Sequence, residues 1–285
     1  MAVPCVSAQG AGTVRLISAA ELAKSFAKYR VLDAREAKEF ERGHVPGSTR
    51  VDWKDWSQQR PDLWHGLFGD VKKWGKIIDD PKEIGERLSA LGLANDTPVA
   101  VVGQPYGWGE EGRIAWSLLY WGASEVALLD GGFAAWVKEV GKVEPGPGGT
   151  PPHADFRPRL RPSRRALLSE VAAAVREKRS GLLDSRSPEE YRGEKISGQK
   201  RGGRLPGARL VPVKALYRED GSYVDKETLR SLVGSSLDRP ISYCVGGVRS
   251  ALLALLVESR LGVVVANYDG SIWEWAAHPD LPLEK

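Results

Sequence analysis

Short apolar runs alternate with amphipathic stretches along most of the 285-residue chain. The runs at 31–33, 99–102, 126–129, 182–184, 241–243 and 263–266 are rich in Val, Leu and Ile and too short for helices, so they predict buried strands. The stretches between them place apolar residues at helical spacing, most clearly Leu252, Leu253, Leu255, Leu256 and Val257. Ser18-Ala19-Ala20-Glu21 and Ser187-Pro188-Glu189-Glu190 predict helix starts with capping boxes, the second with Pro at the first helical position. Strands alternating with helices predict an α/β architecture built on mostly parallel sheets.

The same pattern is written twice. Asp130-Gly131-Gly132-Phe133-Ala134-Ala135-Trp136 recurs as Asp269-Gly270-Ser271-Ile272-Trp273-Glu274-Trp275. Val31-Leu32-Asp33-Ala34-Arg35 recurs as Leu182-Leu183-Asp184-Ser185-Arg186, and Gly43-His44-Val45-Pro46-Gly47-Ser48 as Gly203-Arg204-Leu205-Pro206-Gly207-Ala208. Three paired segments in the same order predict two tandem units. Residues 144–162, dense in Pro and Gly, read as the linker between a first unit at 13–143 and a second at 163–285, with residues 1–12 a flexible tail. The length suits two domains, each with its own core.

Composition narrows the class without naming a function. Hydrophobic content of 42% and charged content of 27% are those of a globular protein. No run approaches the ~18 apolar residues of a membrane span, and Met1 to Val14 lacks the pattern of a signal peptide. Two cysteines in such a chain are no disulfide framework, which favours a reducing, cytoplasmic setting. Residues 1–150 hold 18 Lys and Arg against 20 Asp and Glu, while the remainder holds 23 against 17. The basic half suits a small anionic substrate. A nucleic-acid role is not expected, because the cluster Lys195, Lys200, Arg201, Arg204, Arg209 has no interleaved aromatics and no binding motif.

The chemistry centres on Ile241-Ser242-Tyr243-Cys244-Val245-Gly246-Gly247-Val248-Arg249. Cys244 ends a strand, Gly246 and Gly247 permit a tight turn, and a helix follows. Main-chain N–H groups of such a turn converge, and the helix dipole adds positive potential, so both favour a thiolate. Arg249 adds a permanent charge. The bland alternative, a small buried core cysteine, does not explain the glycines and the arginine. Four residues separate Cys244 from Arg249, one fewer than in the Cys-x5-Arg loop of cysteine-dependent phosphatases. A smaller ring of amides suits a single sulfur better than a phosphate.

Cys244-x-x-Gly-Val and the three repeated segments resemble landmarks of the rhodanese family, the thiosulfate and 3-mercaptopyruvate sulfurtransferases. The resemblance covers about residues 13–278 and implies two tandem rhodanese-like domains. It implies sulfur transfer through a persulfide on Cys244, from a small anionic donor to cyanide or a thiol acceptor, with a thioredoxin-like protein one candidate. No metal or cofactor is implied. Val245, Gly246, Gly247 and Val248 would form the active-site loop. Arg186 and Arg249 would bind substrate, although Arg186 could instead tie down Asp184 or Glu190, and Arg249 could brace the loop. Arg201 and Arg204 are weaker rim candidates. His65 with Asp52 or Asp62 is a candidate proton relay. The first unit carries Gly103-Gln104-Pro105-Tyr106-Gly107-Trp108-Gly109-Glu110-Glu111 where the second has its cysteine loop, so it reads as catalytically silent.

The loop also bears on the donor. It matches neither the basic residues of thiosulfate-selective members nor the Gly-Ser-Gly-Val-Thr of mercaptopyruvate-selective ones. The missing hydroxyl at Gly246 and the charge of Arg249 favour thiosulfate, with 3-mercaptopyruvate the alternative. A Cys-dependent phosphatase and a non-enzymatic persulfide carrier are the other classes. Cys5, without glycines or an arginine nearby, reads as incidental.

Overall fold

A computed structural model describes residues 12–59, 73–179, 181–235 and 237–285. Cys5, Asp62 and His65 lie outside the described residues. The first unit contains β1 (Thr13–Ile17), α1 (Ala19–Lys24), β2 (Arg30–Asp33), α2 (Ala37–Arg42), β3 (Thr49–Arg50), β4 (Ser57–Gln59), β5 (Lys73–Ile77), α3 (Pro81–Ala90), β6 (Val99–Val102), α4 (Glu110–Trp121), β7 (Glu125–Leu129) and α5 (Gly132–Glu139). The second contains α6 (Leu168–Arg176), β8 (Leu182–Asp184), α7 (Pro188–Tyr191), β9 (Arg209–Leu210), α8 (Lys226–Val233), β10 (Ile241–Tyr243), α9 (Arg249–Leu261), β11 (Ala266–Asn267) and α10 (Ser271–Trp275).

Each unit is a parallel sheet flanked by helices. The first sheet runs β1-β7-β6-β2-β3, and the second runs β11-β10-β8-β9. The orders correspond, β6 with β10 and β2 with β8. Where β1 would recur, the second unit keeps a single parallel bridge, Arg165 to Asn267. The sixth expected strand is shorter and later than 263–266. Its ladder begins with Ala266 bonded to the carbonyl of Pro240, which has no N–H with which to extend the pairing.

The helix starts divide. Ser187 and Glu190 form the expected box with Pro188 at N1. Ser18 caps α1 through Glu21 N–H, but the Glu21 carboxylate turns away to Arg15 at 2.7 Å. Residues 144–162 are fastened rather than loose: Ala154 bonds Ser89, Arg159 bonds Trp121, Arg161 bonds Tyr120, and Phe156 is buried.

One buried cluster spans both units, and each unit also keeps a cluster of its own. Leu118, Leu119 and Trp121 of α4 join Leu252, Leu255 and Leu256 of α9 in a continuous buried cluster. Burial at about 25 cal/mol per Å² of apolar surface holds the units together as it holds a domain. The Asp-Gly aspartates add polar ties in both directions. Asp130 of the first unit accepts Tyr223 N–H at 2.7 Å, and Asp269 of the second accepts Ile77 N–H at 2.9 Å. Among the described residues no helix is long and apolar enough to cross a membrane.

Candidate active site

Strand β10 ends at Tyr243, and residues 244–248 turn the chain into α9. Gly247 has φ 76°, the left-handed region that a glycine adopts without strain. Gly246 has no room for a side chain, because a Cβ there would lie 2.4 Å from the Trp273 ring. The turn is pinned to the segment after β11. Cys244 N–H donates to Ser271 Oγ at 3.1 Å, and the Val245 carbonyl accepts Trp273 N–H at 3.0 Å.

Cys244 is 2% exposed and lines a cavity of about 340 Å³ at the junction of the units. Val245, Gly246, Val248, Arg249, Glu190, Ser197 and Trp273 line it from the second unit. Glu36, Trp53, Lys54, Trp108 and Glu110 close it from the first. Burial pushes the Cys244 thiol up, but the Arg249 charge and the N–H groups of Ser250 and Gly246 outweigh it, so the thiol sits below its ordinary value. A lowered thiol carries more thiolate, the nucleophilic form, at a given pH.

Arg249 serves two neighbours. Its guanidinium pairs with Glu190 and lies over the Trp108 ring, 5.0 Å from the centroid. Burial raises the Glu190 carboxyl, but its bonds from Arg249, Ser187 N–H and the Ser197 hydroxyl hold it down at about 2. The Ser197 carbonyl in turn accepts the Trp273 Nε1–H at 2.8 Å. Trp273, Ser197, Glu190 and Arg249 thus form a connected wall of the thiol's cavity.

Arg186 does not line that cavity. It is fully buried, with Nε on Asp184 at 2.9 and 3.1 Å and Nη2 on Asp184 at 2.6 Å and on the Gly203 carbonyl at 2.9 Å. Arg35 in the first unit repeats the arrangement, with Asp33 at 2.7 Å and the Gly43 carbonyl at 2.9 Å. A pair that recurs in both units is a brace of the module, while Arg186 also lines a neighbouring cavity with Trp108, Glu190 and Arg249, and its Nη1 has no hydrogen-bond partner. Arg201 is spent on carbonyls near the C-terminus, including those of Ala276 and Leu281, and Arg204 stands beside Glu284. Asp52 caps the turn at Trp53–Trp56 through Lys54 N–H.

In the first unit Gly103 follows β6 as Cys244 follows β10. A Cβ on Gly103 would meet the Glu111 carboxyl at 2.4 Å, so that carboxyl fills the space beside the thiol's counterpart. Glu111 Oε1 accepts Tyr217 at 2.9 Å and Tyr223 at 3.0 Å, both from the second unit. Burial and the neighbouring Glu110 push Glu111 up to about 7, against its hydrogen bonds.

The family model described as Rhodanese-like domain matches residues 18–139 and 167–278. The chain belongs to the rhodanese family. Its two units are two rhodanese-like domains in tandem, and the landmarks of the repeat are those of the family fold. Thermus thermophilus "Sulfur carrier protein TtuD" is 32% identical, covering 90% of this chain and 91% of that protein. The thiosulfate sulfurtransferase of Azotobacter vinelandii is 31% identical, covering 89% and 90%. The 3-mercaptopyruvate sulfurtransferase of Escherichia coli is 27% identical, covering 88% and 87%. The crystal structure of Escherichia coli SseA, described as having the rhodanese fold, superposes with a TM-score of 0.74 at 24% identity, covering 91% of this chain and 99% of that one. YnjE superposes with a TM-score of 0.80 at 21% identity, covering 95% and 68%. Both structural likenesses bear on the fold.

Glu190, Ser250, Trp273 and Trp108 join the site without having stood out as site residues in the sequence. Glu190 had one visible signal, its capping-box position, which fixes it beside the turn after β8. The others are placed by packing.

Proposed function

We propose that this rhodanese is a sulfurtransferase in which Cys244 takes the sulfane sulfur of thiosulfate and passes it to a thiol or cyanide. The observation that carries the reading is the acidic, enclosed thiol with Arg249 and two main-chain N–H groups turned to it. Cys244 S⁻ attacks the outer sulfur of the donor. A new S–S bond forms, the donor S–S bond breaks, and its electron pair leaves with sulfite. The loop N–H groups and Arg249 stabilise negative charge on the resulting persulfide. The acceptor then attacks the terminal sulfur, and Cys244 returns as thiolate. Every group needed for both steps belongs to the chain, the donor or the acceptor. The setting is cytoplasmic, where thiol acceptors are kept reduced.

Support for thiosulfate comes from relatives named as thiosulfate sulfurtransferases and from Gly246, whose lack of a hydroxyl leaves the loop unlike that of mercaptopyruvate-selective members. A carrier role is a second reading, favoured by the relative named as a sulfur carrier. In that role the persulfide forms and is handed to a protein acceptor, without rapid turnover on small ones. Steady-state assays with thiosulfate and with 3-mercaptopyruvate, each with cyanide and with a small thiol, decide among these. Turnover preferring thiosulfate supports the proposal. Preference for 3-mercaptopyruvate, or faster hydrolysis of a phosphate ester, contradicts it. Loading without turnover marks the carrier.

A further inference from the structure

Arg113 is a buried cation that the chemistry above leaves unused. It stands in the first turns of α4, in the domain without a thiol, and its side chain is fully buried. Among the described residues it makes no ion pair. Its Nη1 donates to the carbonyl of Gly247 at 3.3 Å, and its Nη2 to the carbonyl of Gly75. Nε has no partner. Burial lowers the guanidinium to about 10, with Asp269 and Cys244 acting the other way. Burying a charge without a bonded carboxylate is costly, so the placement requires a reason.

Gly247 is the left-handed residue of the catalytic loop, and its carbonyl has a second donor. Asn267 Nδ2 reaches it at 2.9 Å, and the Asn267 amide is oriented by Ser250 Oγ on its Oδ1 at 2.6 Å. Neither Arg113 nor Asn267 lines the thiol's cavity, whereas Val248 does. In a planar trans peptide C=O and N–H point to opposite sides. Drawing the Gly247 carbonyl backward therefore turns the Val248 N–H toward the concave side of the loop, where a sulfur carried on Cys244 sits. The silent domain touches the loop directly as well, since a Cβ on Gly75 would lie 2.0 Å from the Gly246 carbonyl oxygen.

We propose that Arg113 is a positioning residue for Cys244: from the silent domain it holds the Gly247 carbonyl, together with Asn267, and so fixes the amide cradle of the loop. The silent domain then completes the active site from behind, beyond walling the cavity. This rests on reading Cys244 as the sulfur-bearing nucleophile.

The test compares Arg113→Gln and Arg113→Lys with the parent by thermal melting, by the pH profile of Cys244 alkylation with iodoacetamide, and by single-turnover sulfur loading from thiosulfate. Arg113→Gln should load sulfur roughly tenfold or more slowly, the scale of one lost charge-assisted contact. Its alkylation midpoint should move to higher pH, and Arg113→Lys should recover part of both. Parent-like loading and an unmoved midpoint, with only a lower melting temperature, would overturn the proposal. If neither variant folds, the parent decides: the side-chain 15N resonances of Arg113 should shift when Cys244 carries sulfur, and unshifted resonances would overturn it. The alkylation profile needs no donor, so a parent that refuses thiosulfate counts against the donor assignment while Arg113 is still tested.

Discussion

Arg249 and Glu190 face each other in a two-point ion pair, Nη1 to Oε2 at 2.7 Å and Nη2 to Oε1 at 3.1 Å, with both side chains almost wholly buried. The pair sets how much of the Arg249 charge reaches Cys244. It also makes the two residues opposite levers on the same thiol.

Arg249→Ala removes the charge that opposes burial at Cys244. The midpoint of Cys244 alkylation should rise in pH, and donor attack should slow by on the order of 1.5–3 kcal/mol in barrier. Glu190→Gln should move the midpoint the other way, since Arg249 then acts on the thiol alone. That variant should also lose about 3 kcal/mol of stability, the scale for stranding one member of a buried pair. Because the folded Glu190 carboxyl lies at about 2, its contribution in the parent is complete above an ordinary carboxylate value of ~4.3 and is lost as pH falls from there toward 2. Denaturant titrations of parent and Glu190→Gln should therefore converge in strong acid. Midpoints that move in the same direction in both variants would contradict the lever.

Trp273 occupies the space a side chain at 246 would need. Gly246→Ser should sharply reduce sulfur loading, because the new Cβ meets the ring at 2.4 Å and the loop must shift. Trp273→Ala combined with Gly246→Ser should recover part of the loss. Single-turnover loading of the two single variants and the double variant measures the coupling, and additive losses would show that the ring and the loop do not contend for that space.

Glu111 gives the domain interface a pH dependence. Its folded value of about 7 lies above that of a free carboxyl, so its contribution is fully present below ~4.3 and is lost as pH rises through 7. Across that window the parent should lose stability at this site, on the order of 3 kcal/mol, which Glu111→Gln should not lose. Melting both proteins at pH 5 and pH 8 checks the sign: relative to the parent, the variant should be the more favoured at pH 8.

Much of the fold was legible because the repeat is carried by local signals. Asp33 with Arg35 and Asp184 with Arg186 brace their own strands within three residues, so the same letters recur wherever the same turn is built. The cysteine loop was legible for the same reason, since its strand, turn glycines and helix are contiguous. The two roles open to Arg186 were not separable in sequence, because a guanidinium that serves an adjacent carboxylate and one that serves a ligand look alike there. The first unit's share of the cavity wall was not legible residue by residue. Trp108, Arg113 and Gly75 meet the loop across 130 to 170 residues of chain, through the packing of α4 on α9 and of β5 on the loop. No periodicity reports contacts of that range. Gly246 and Trp273 were visible as two separate letters, and only their proximity shows that one fills the space left by the other.

If sulfur travels on Cys244, mass spectrometry of the protein after brief exposure to thiosulfate will find it there. One added sulfur should be found on the peptide containing Cys244, should vanish on addition of cyanide, and should be absent from a folded Cys244→Ser variant that also lacks turnover. Cys5→Ser should load and turn over as the parent does. Sulfur found on Cys5 alone, or turnover retained by Cys244→Ser, would contradict the account.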